Sequence, residues 1–227
     1  MYKELPYNFL EIAKSDLSAS KCLFNNEFYP QSLFFFQQSV EKAVKSFGIS
    51  VGLLKDEKAV KIYSHKSSVV FIDLMKAFLE LLSDQIILGK SENKELVDQF
   101  IKISKNNLNN YSDTNSSTED AEIIKIIGKI KEKNIDGDVV GLILIYLSFL
   151  SMIFTSDVNE STRYPDLKSN RFPSMNYNEN SILVKSFTEL SNIMEEVLSM
   201  LKDYLENGEF VDLSIESLKD LINKGKN

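Results

Sequence analysis

The chain has 26 basic residues, and only two of them, Arg163 and Arg171, are arginines. Both fall in one segment, STRYPDLKSNRFPS, and each opens an Arg-aromatic-Pro triplet: Arg163-Tyr164-Pro165 and Arg171-Phe172-Pro173. Lys168 sits between them. In a sequence that otherwise takes its positive charge from lysine, arginine points to a need for the planar guanidinium. That group grips a carboxylate or phosphate through two parallel hydrogen bonds and stacks on rings. The neighbouring Tyr164 and Phe172 offer stacking surfaces for a base or for the guanidinium itself. The two prolines restrict the backbone, so less entropy is lost when the loop is fixed around a ligand. The same residues also describe a structural clamp, with an arginine tying the loop to a helix C-terminus or a buried carboxylate. From the residues alone, anion site and clamp stand level.

Other chemistries have too few parts. One histidine, His65, and one cysteine, Cys22, cannot supply a zinc or iron site built mainly from those residues, and no internal disulfide can form. Cys22 falls mid-helix as a small packing residue, and His65 reads as a polar residue in the first turn of a helix. Neither a Walker A nor a Rossmann glycine pattern occurs. No metal, cofactor or catalytic residue is expected. The formal charge of −7 argues against sequence-blind adhesion to nucleic acid, which needs an extended basic surface, but leaves room for a local basic site.

The elements that must position the arginine loop are helices. Gly and Pro are scarce, at eight and four, and apolar residues recur at three- and four-residue steps. Helix one starts near Pro6, shows Phe9, Ile12, Ala13, Leu17, Ser20 and Phe24 on one face, and ends near Asn25-Asn26. Pro30 starts helix two, whose core stripe is Leu33, Phe36, Val40, Ala43, Val44 and Phe47, with Gln37, Gln38, Glu41, Lys42 and Lys45 mostly on a polar face. Phe34 and Phe35 widen its apolar surface, which places the helix at the centre of a bundle or against a partner. Further helices are predicted at 65–82 (capped by Ser64), 93–105, 119–133 and 138–155, with a polar excursion at 104–120. The apolar run at 139–154 is too short and too acidic in its flanks to span a membrane and reads as a core helix. Residues 156–180 form a long loop. A last major helix at 180–206 carries Leu183, Phe187, Leu190, Met194, Val197, Leu201 and Tyr204, and a short helix follows at 214–224. With 43% hydrophobic residues, 15 Phe and 9 Tyr, the chain can bury a sizeable core, and its single cysteine and unbroken charge pattern at the N-terminus suit the cytoplasm.

Residues 16–47 resemble the opening helical hairpin of HEPN domains (higher eukaryotes and prokaryotes nucleotide-binding). The resemblance rests on Asp16-Leu17, Phe28-Tyr29, Gln37-Gln38, Glu41-Lys42-Ala43 and Lys45. Ser64-His65 is similar to the family's Ser-His at the start of its next helix, and Arg163-Tyr164-Pro165-Asp166 to an Arg-Tyr-Pro-Asp segment before its last. The resemblance implies an all-α, up-and-down bundle with a HEPN-like core at 9–82 and 156–206 and extra helices inserted at 85–155, in one domain of 227 residues. It also implies frequent homodimers, nucleotide or RNA binding, and partnership with a minimal nucleotidyltransferase in a toxin–antitoxin pair. Expected ligand contacts, from the arginine loop and the matching motifs together, are Arg163, Tyr164, Asp166, Lys168, Arg171, Gln38, Lys42 and Lys45. The ribonuclease members place a histidine after their arginine with four to six residues between the two. Lys168, Ser169 and Asn170 stand there in this chain, so a non-catalytic role is expected, with a purely structural helical protein or a divergent ribonuclease as the alternatives.

Overall fold

The computed structural model describes residues 4–52, 54, 139–153, 162–165 and 172–207. Four long helices carry the architecture: α1 (Glu4–Asn25), α2 (Tyr29–Ser50), α3 (Val139–Ile153) and, last in the chain, α6 (Phe187–Asn207). Two single-turn helices, α4 (Pro173–Asn176) and α5 (Ile182–Lys185), precede α6. No strand occurs among the described residues, and the all-α bundle expected from the periodicity is what forms. The helices predicted at 65–82, 93–105, 119–133 and 214–224, together with His65, lie outside the described residues.

The turn between α1 and α2 is three residues long and closes with helix-end hydrogen bonds. Phe28 N–H reaches the Leu23 carbonyl at 3.0 Å and Glu27 N–H reaches Phe24 at 2.9 Å. This is the paired bonding that stops a helix when one residue turns left-handed, a place usually filled by glycine. Here Glu27 takes it, at φ 64°. Pro30 then sits in the first turn of α2, where its missing N–H has no helical acceptor to lose.

A ladder of serines sets how closely the two helices lie. Ser32, Ser39 and Ser46 recur every seven residues on α2, and each donates its hydroxyl to a carbonyl of α1. The acceptors are Ser20 at 2.9 Å, Ala13 at 2.7 Å and Pro6 at 2.7 Å. The acceptors also step by seven, in the opposite direction, so the antiparallel register is the same at every rung. Ser20 returns a bond to the Ser32 carbonyl at 2.8 Å. Small side chains let the backbones approach, and each hydroxyl is buried with a partner, as burial demands.

The core lies between α1, α2, α3 and α6. Phe36, Phe47, Phe149, Leu10, Leu33, Ile143, Leu144 and Leu147 are its largest fully buried side chains. Every residue of the stripe predicted on α2 is buried, as is every residue of the stripe predicted on the last helix. At the head of α6, Phe187 stacks on Phe24 of α1 at 4.0 Å and meets Phe36 of α2 edge-on at 5.7 Å. An exposed ion pair, Lys21 to Glu195 at 2.6 Å, joins α1 to α6 on the outside. The apolar run that could have been mistaken for a membrane segment is α3, whose Val140, Ile143, Leu144, Tyr146, Leu147, Phe149, Leu150 and Ile153 pack into the core. No helix among the described residues is long and apolar enough to cross a membrane.

Four details differ from the sequence reading, the first being Cys22, which is exposed on α1 and not a packing residue. The buried face of α1 runs through Pro6, Leu10, Ala13, Leu17 and Ser20, while Phe9 is half-buried and Ile12 is 46% exposed. The serine ladder rotates α1 so that Leu10, not Phe9, turns inward. The helix predicted over 180–206 is interrupted at Ser186, and its first turn is capped by Ser181, whose hydroxyl accepts from Val184 N–H at 3.4 Å. The supposedly polar side of α2 is also drawn in, with Gln37, Glu41 and Lys45 each only 8% exposed. The main stripe of α2 lies at the centre of the bundle, while Phe34 and Phe35 stay half-buried.

Candidate functional site

Phe34, Gln38 and Lys42 follow one another at four-residue spacing along α2, which aligns them on one face. Phe34 and its neighbour Phe35 are half-buried and meet edge to face at 5.4 Å. Arg163 lies over this face. Its guanidinium carbon is 5.1 Å from the Phe34 ring centroid and 5.1 Å from that of Tyr164, within the range where a cation is attracted to a ring's negative face. The loop is anchored just before it by Thr162, which is 4% exposed, whereas Tyr164 remains 60% exposed.

One turn further along α2, Gln38 donates from Nε2 to Gln37 Oε1 at 2.7 Å, and Lys42 Nζ donates to Gln38 Oε1 at 2.8 Å. An ammonium can only donate, so the atom facing it must be the amide oxygen, and the orientation of Gln38 is thereby fixed. Beyond these, Glu41 and Lys45 form an almost fully buried ion pair at 2.7 Å, with the ammonium 5.9 Å from the Phe9 ring centroid. Removing one member of such a pair strands a buried charge and costs about 3–5 kcal/mol.

Across the seam, α1 contributes Asp16. Burial raises its carboxyl above the usual range, Lys42 pulls it back and Glu41 pushes it further up. Lys42 answers in the opposite sense: burial lowers its ammonium, Glu41 and Asp16 support the charge, and Lys45 opposes it. Arg163 thus lies at one end of this stretch of α2 and the buried Glu41–Lys45 pair at the other, with Lys42 between them and Asp16 facing it from α1. Among the described residues no group of three or more His, Cys, Asp or Glu is arranged to hold a metal ion.

Of the ligand contacts expected from sequence, the structure brings Arg163, Tyr164, Gln38 and Lys42 to one side of α2. Lys45 stands next along the same helix, paired with Glu41. Asp166, Lys168 and Arg171 lie outside the described residues. Sequence reasoning missed two members: Phe34, which carries Arg163, and Asp16, which faces the lysines from α1. The Phe34–Gln38–Lys42 spacing was visible in the chain, but Phe34 reads there as surplus apolar surface because nothing in it announces a loop residue on top.

The family model for the HEPN domain matches residues 7–136, more than half of the chain. The chain belongs to the HEPN family. The match takes in α1 and α2, and with them Asp16, Gln38, Lys42 and Lys45, and it ends before α3 and the Arg163 loop. No curated protein and no solved structure matches the chain. HEPN membership agrees with the all-α architecture and links the chain to nucleotide- or RNA-related function.

Proposed function

We propose that this HEPN protein is a non-catalytic binding module. It takes a nucleotide or RNA phosphate at Arg163, beside the Phe34–Gln38–Lys42 face, and serves a minimal nucleotidyltransferase in a cytoplasmic toxin–antitoxin-type role. The observation that carries this reading is the placement of Arg163: exposed, and held against two rings rather than left to sample many rotamers. A guanidinium fixed in advance loses less entropy when it engages an anion. Asp166, Lys168 and Arg171 belong to the same proposed site through their place in the loop sequence, and Lys45 through its place on α2. We further propose a homodimer and the domain division already outlined: a HEPN-like core at 9–82 and 156–206 with helices inserted at 85–155.

Calorimetric titration with mononucleotides and a short RNA tests the binding site. Arg163→Lys keeps the charge but loses the fork, and because a charge-assisted hydrogen bond contributes about 1.5–3 kcal/mol, binding should weaken about tenfold. The protein is acidic overall, so affinity should fall only shallowly with salt, with a slope matching about two or three phosphates. If no ligand gives heat and Arg163→Lys unfolds the protein, Arg163 is a structural clamp and the binding role is wrong.

A further inference from the structure

Asp16 is a half-buried carboxylate with no donor of its own. Among the described residues its side chain accepts no hydrogen bond and closes no ion pair, and Lys42 acts on it only through charge, at longer range. Withdrawing a carboxylate from water without supplying a donor is costly. The serine ladder fixes where Asp16 stands. Ser32 meets Ser20 and Ser39 meets Ala13, so each step forward along α2 matches one step back along α1. On that register Asp16 is level with Phe36, two residues from Phe34 and two from Gln38, or about 3 Å along the axis from each. Phe34 carries Arg163, and Gln38 bonds the Lys42 ammonium that Asp16 faces. The carboxylate therefore borders the stretch of α2 on which the guanidinium rests.

We propose that Asp16 takes the 2′-hydroxyl of the ribose whose phosphate Arg163 holds, so that the site prefers ribonucleotides to deoxyribonucleotides. The inference rests on the nucleotide-binding reading of Arg163 and adds to it a residue that sets sugar specificity. An ionised carboxylate accepts and never donates, and it repels phosphate, so its partner on a nucleotide is a neutral donor. Stacking on the Tyr164 ring, which is 60% exposed, tolerates any base, and base edges differ in where their N–H groups lie. The sugar is the same in every ribonucleotide and sits directly beside the phosphate. Its 2′-hydroxyl is free within an RNA strand as well as on a mononucleotide, and it is the group by which a protein tells RNA from DNA. A hydroxyl donating to a carboxylate makes a charge-assisted bond, the stronger class.

The experiment is calorimetric titration of the full chain with AMP, UMP and their 2′-deoxy counterparts. Each ribonucleotide should bind about tenfold tighter than its deoxy form, because the analogue leaves a half-buried carboxylate without its donor. The ratio should be the same for both bases. Asp16→Ala should bring it close to one, and Asp16→Asn, whose amide oxygen is a neutral acceptor, should leave a ratio smaller than that of the wild type. A purely structural residue would change affinity for both sugars alike. The wild-type ratio needs no variant, so it decides the matter even where Asp16→Ala fails to fold. Equal affinity for ribo and deoxy forms, or a ratio that survives Asp16→Ala, overturns the inference and leaves phosphate binding at Arg163 standing. A preference for one base that disappears in Asp16→Ala also overturns it, since the carboxylate would then be reading a base. If none of the four binds, the nucleotide reading falls and this inference with it.

Discussion

Arg163 holds its guanidinium carbon 5.1 Å from the centroid of the Phe34 ring, joining the loop before α4 to the second helix of the chain. A ring under a cation contributes about 0.5–1 kcal/mol when exposed and more as water is excluded. Phe34→Leu keeps an apolar residue at a half-buried position but removes the π face. Nucleotide affinity should drop several-fold, and the melting temperature should change far less than after Phe36→Leu in the fully buried core. Unchanged affinity in Phe34→Leu would mean that Arg163 finds its position without the ring.

The serine ladder gives a test of packing. Ser39→Ala removes the hydroxyl from Ala13's carbonyl, and a typical net hydrogen bond is worth about 0.5–1.5 kcal/mol, so urea unfolding should show a loss of that order. Ser39→Leu should cost more, about 1–3 kcal/mol or beyond, because the helices are too close to admit a branched side chain. A leucine variant as stable as the alanine variant would show that the seam has room to spare.

Glu27 supplies a backbone test. A non-glycine residue at φ 64° carries a left-handed strain of about 1–2 kcal/mol. Glycine would relieve it at the cost of some unfolded-state entropy. Glu27→Gly should therefore raise stability by up to about 1 kcal/mol, and Glu27→Val should lower it, both read by thermal unfolding.

Asp16 makes a pH prediction whose sign follows from its raised carboxyl. In the folded state it holds its proton more tightly than in the unfolded chain, where the ordinary value is 3.8. Between that value and the raised one the native state binds more protons, so this group's contribution to stability falls as pH rises through that window. Asp16→Asn should flatten that part of the profile in urea unfolding across the acid range. Lys42 has the opposite shift, so its contribution recovers as pH rises through its lowered value toward 10.5. A profile that steepens in Asp16→Asn would contradict burial as the dominant cause.

The proposed homodimer is tested at Phe35, which is half-buried beside Phe34. Light scattering at micromolar concentration should give twice the chain mass of 25.9 kDa, and Phe35→Glu should return it to one. A monomer indifferent to Phe35→Glu would remove the dimer from the proposal.

Much of the bundle was legible because its signals are local. Alternating steps of three and four mark Leu183 to Tyr204, and Pro6 and Pro30 mark two helix starts. The phase of α1 was not legible. Phe9 and Ile12 are larger and more apolar than Ser20, so a hydrophobic pattern centres on them, whereas the actual seam is set by hydroxyls reaching across to carbonyls. Propensity scales treat serine as surface, and only the seven-residue recurrence of Ser32, Ser39 and Ser46 betrays it. Phe34 was misread for a related reason: pairing between α2 and a loop more than a hundred residues away leaves no periodic trace. The family hairpin was readable from Gln37-Gln38 and Glu41-Lys42-Ala43, motifs that the fold places together on one helix.

The matched seven-residue steps on α1 and α2 also make the hairpin a measure of length. A single residue inserted into α2 between Ser32 and Ser39 would rotate everything beyond it by about 100°, moving the later serines off their acceptors and Lys42 away from its present face. Insertions of about seven residues, two helical turns, would leave the faces nearly aligned, and changes confined to the turn at 26–28 would leave each helix's own spacing intact. Related chains that share this seam should therefore differ in length by whole double turns within the helices, or at the tip, and seldom in between.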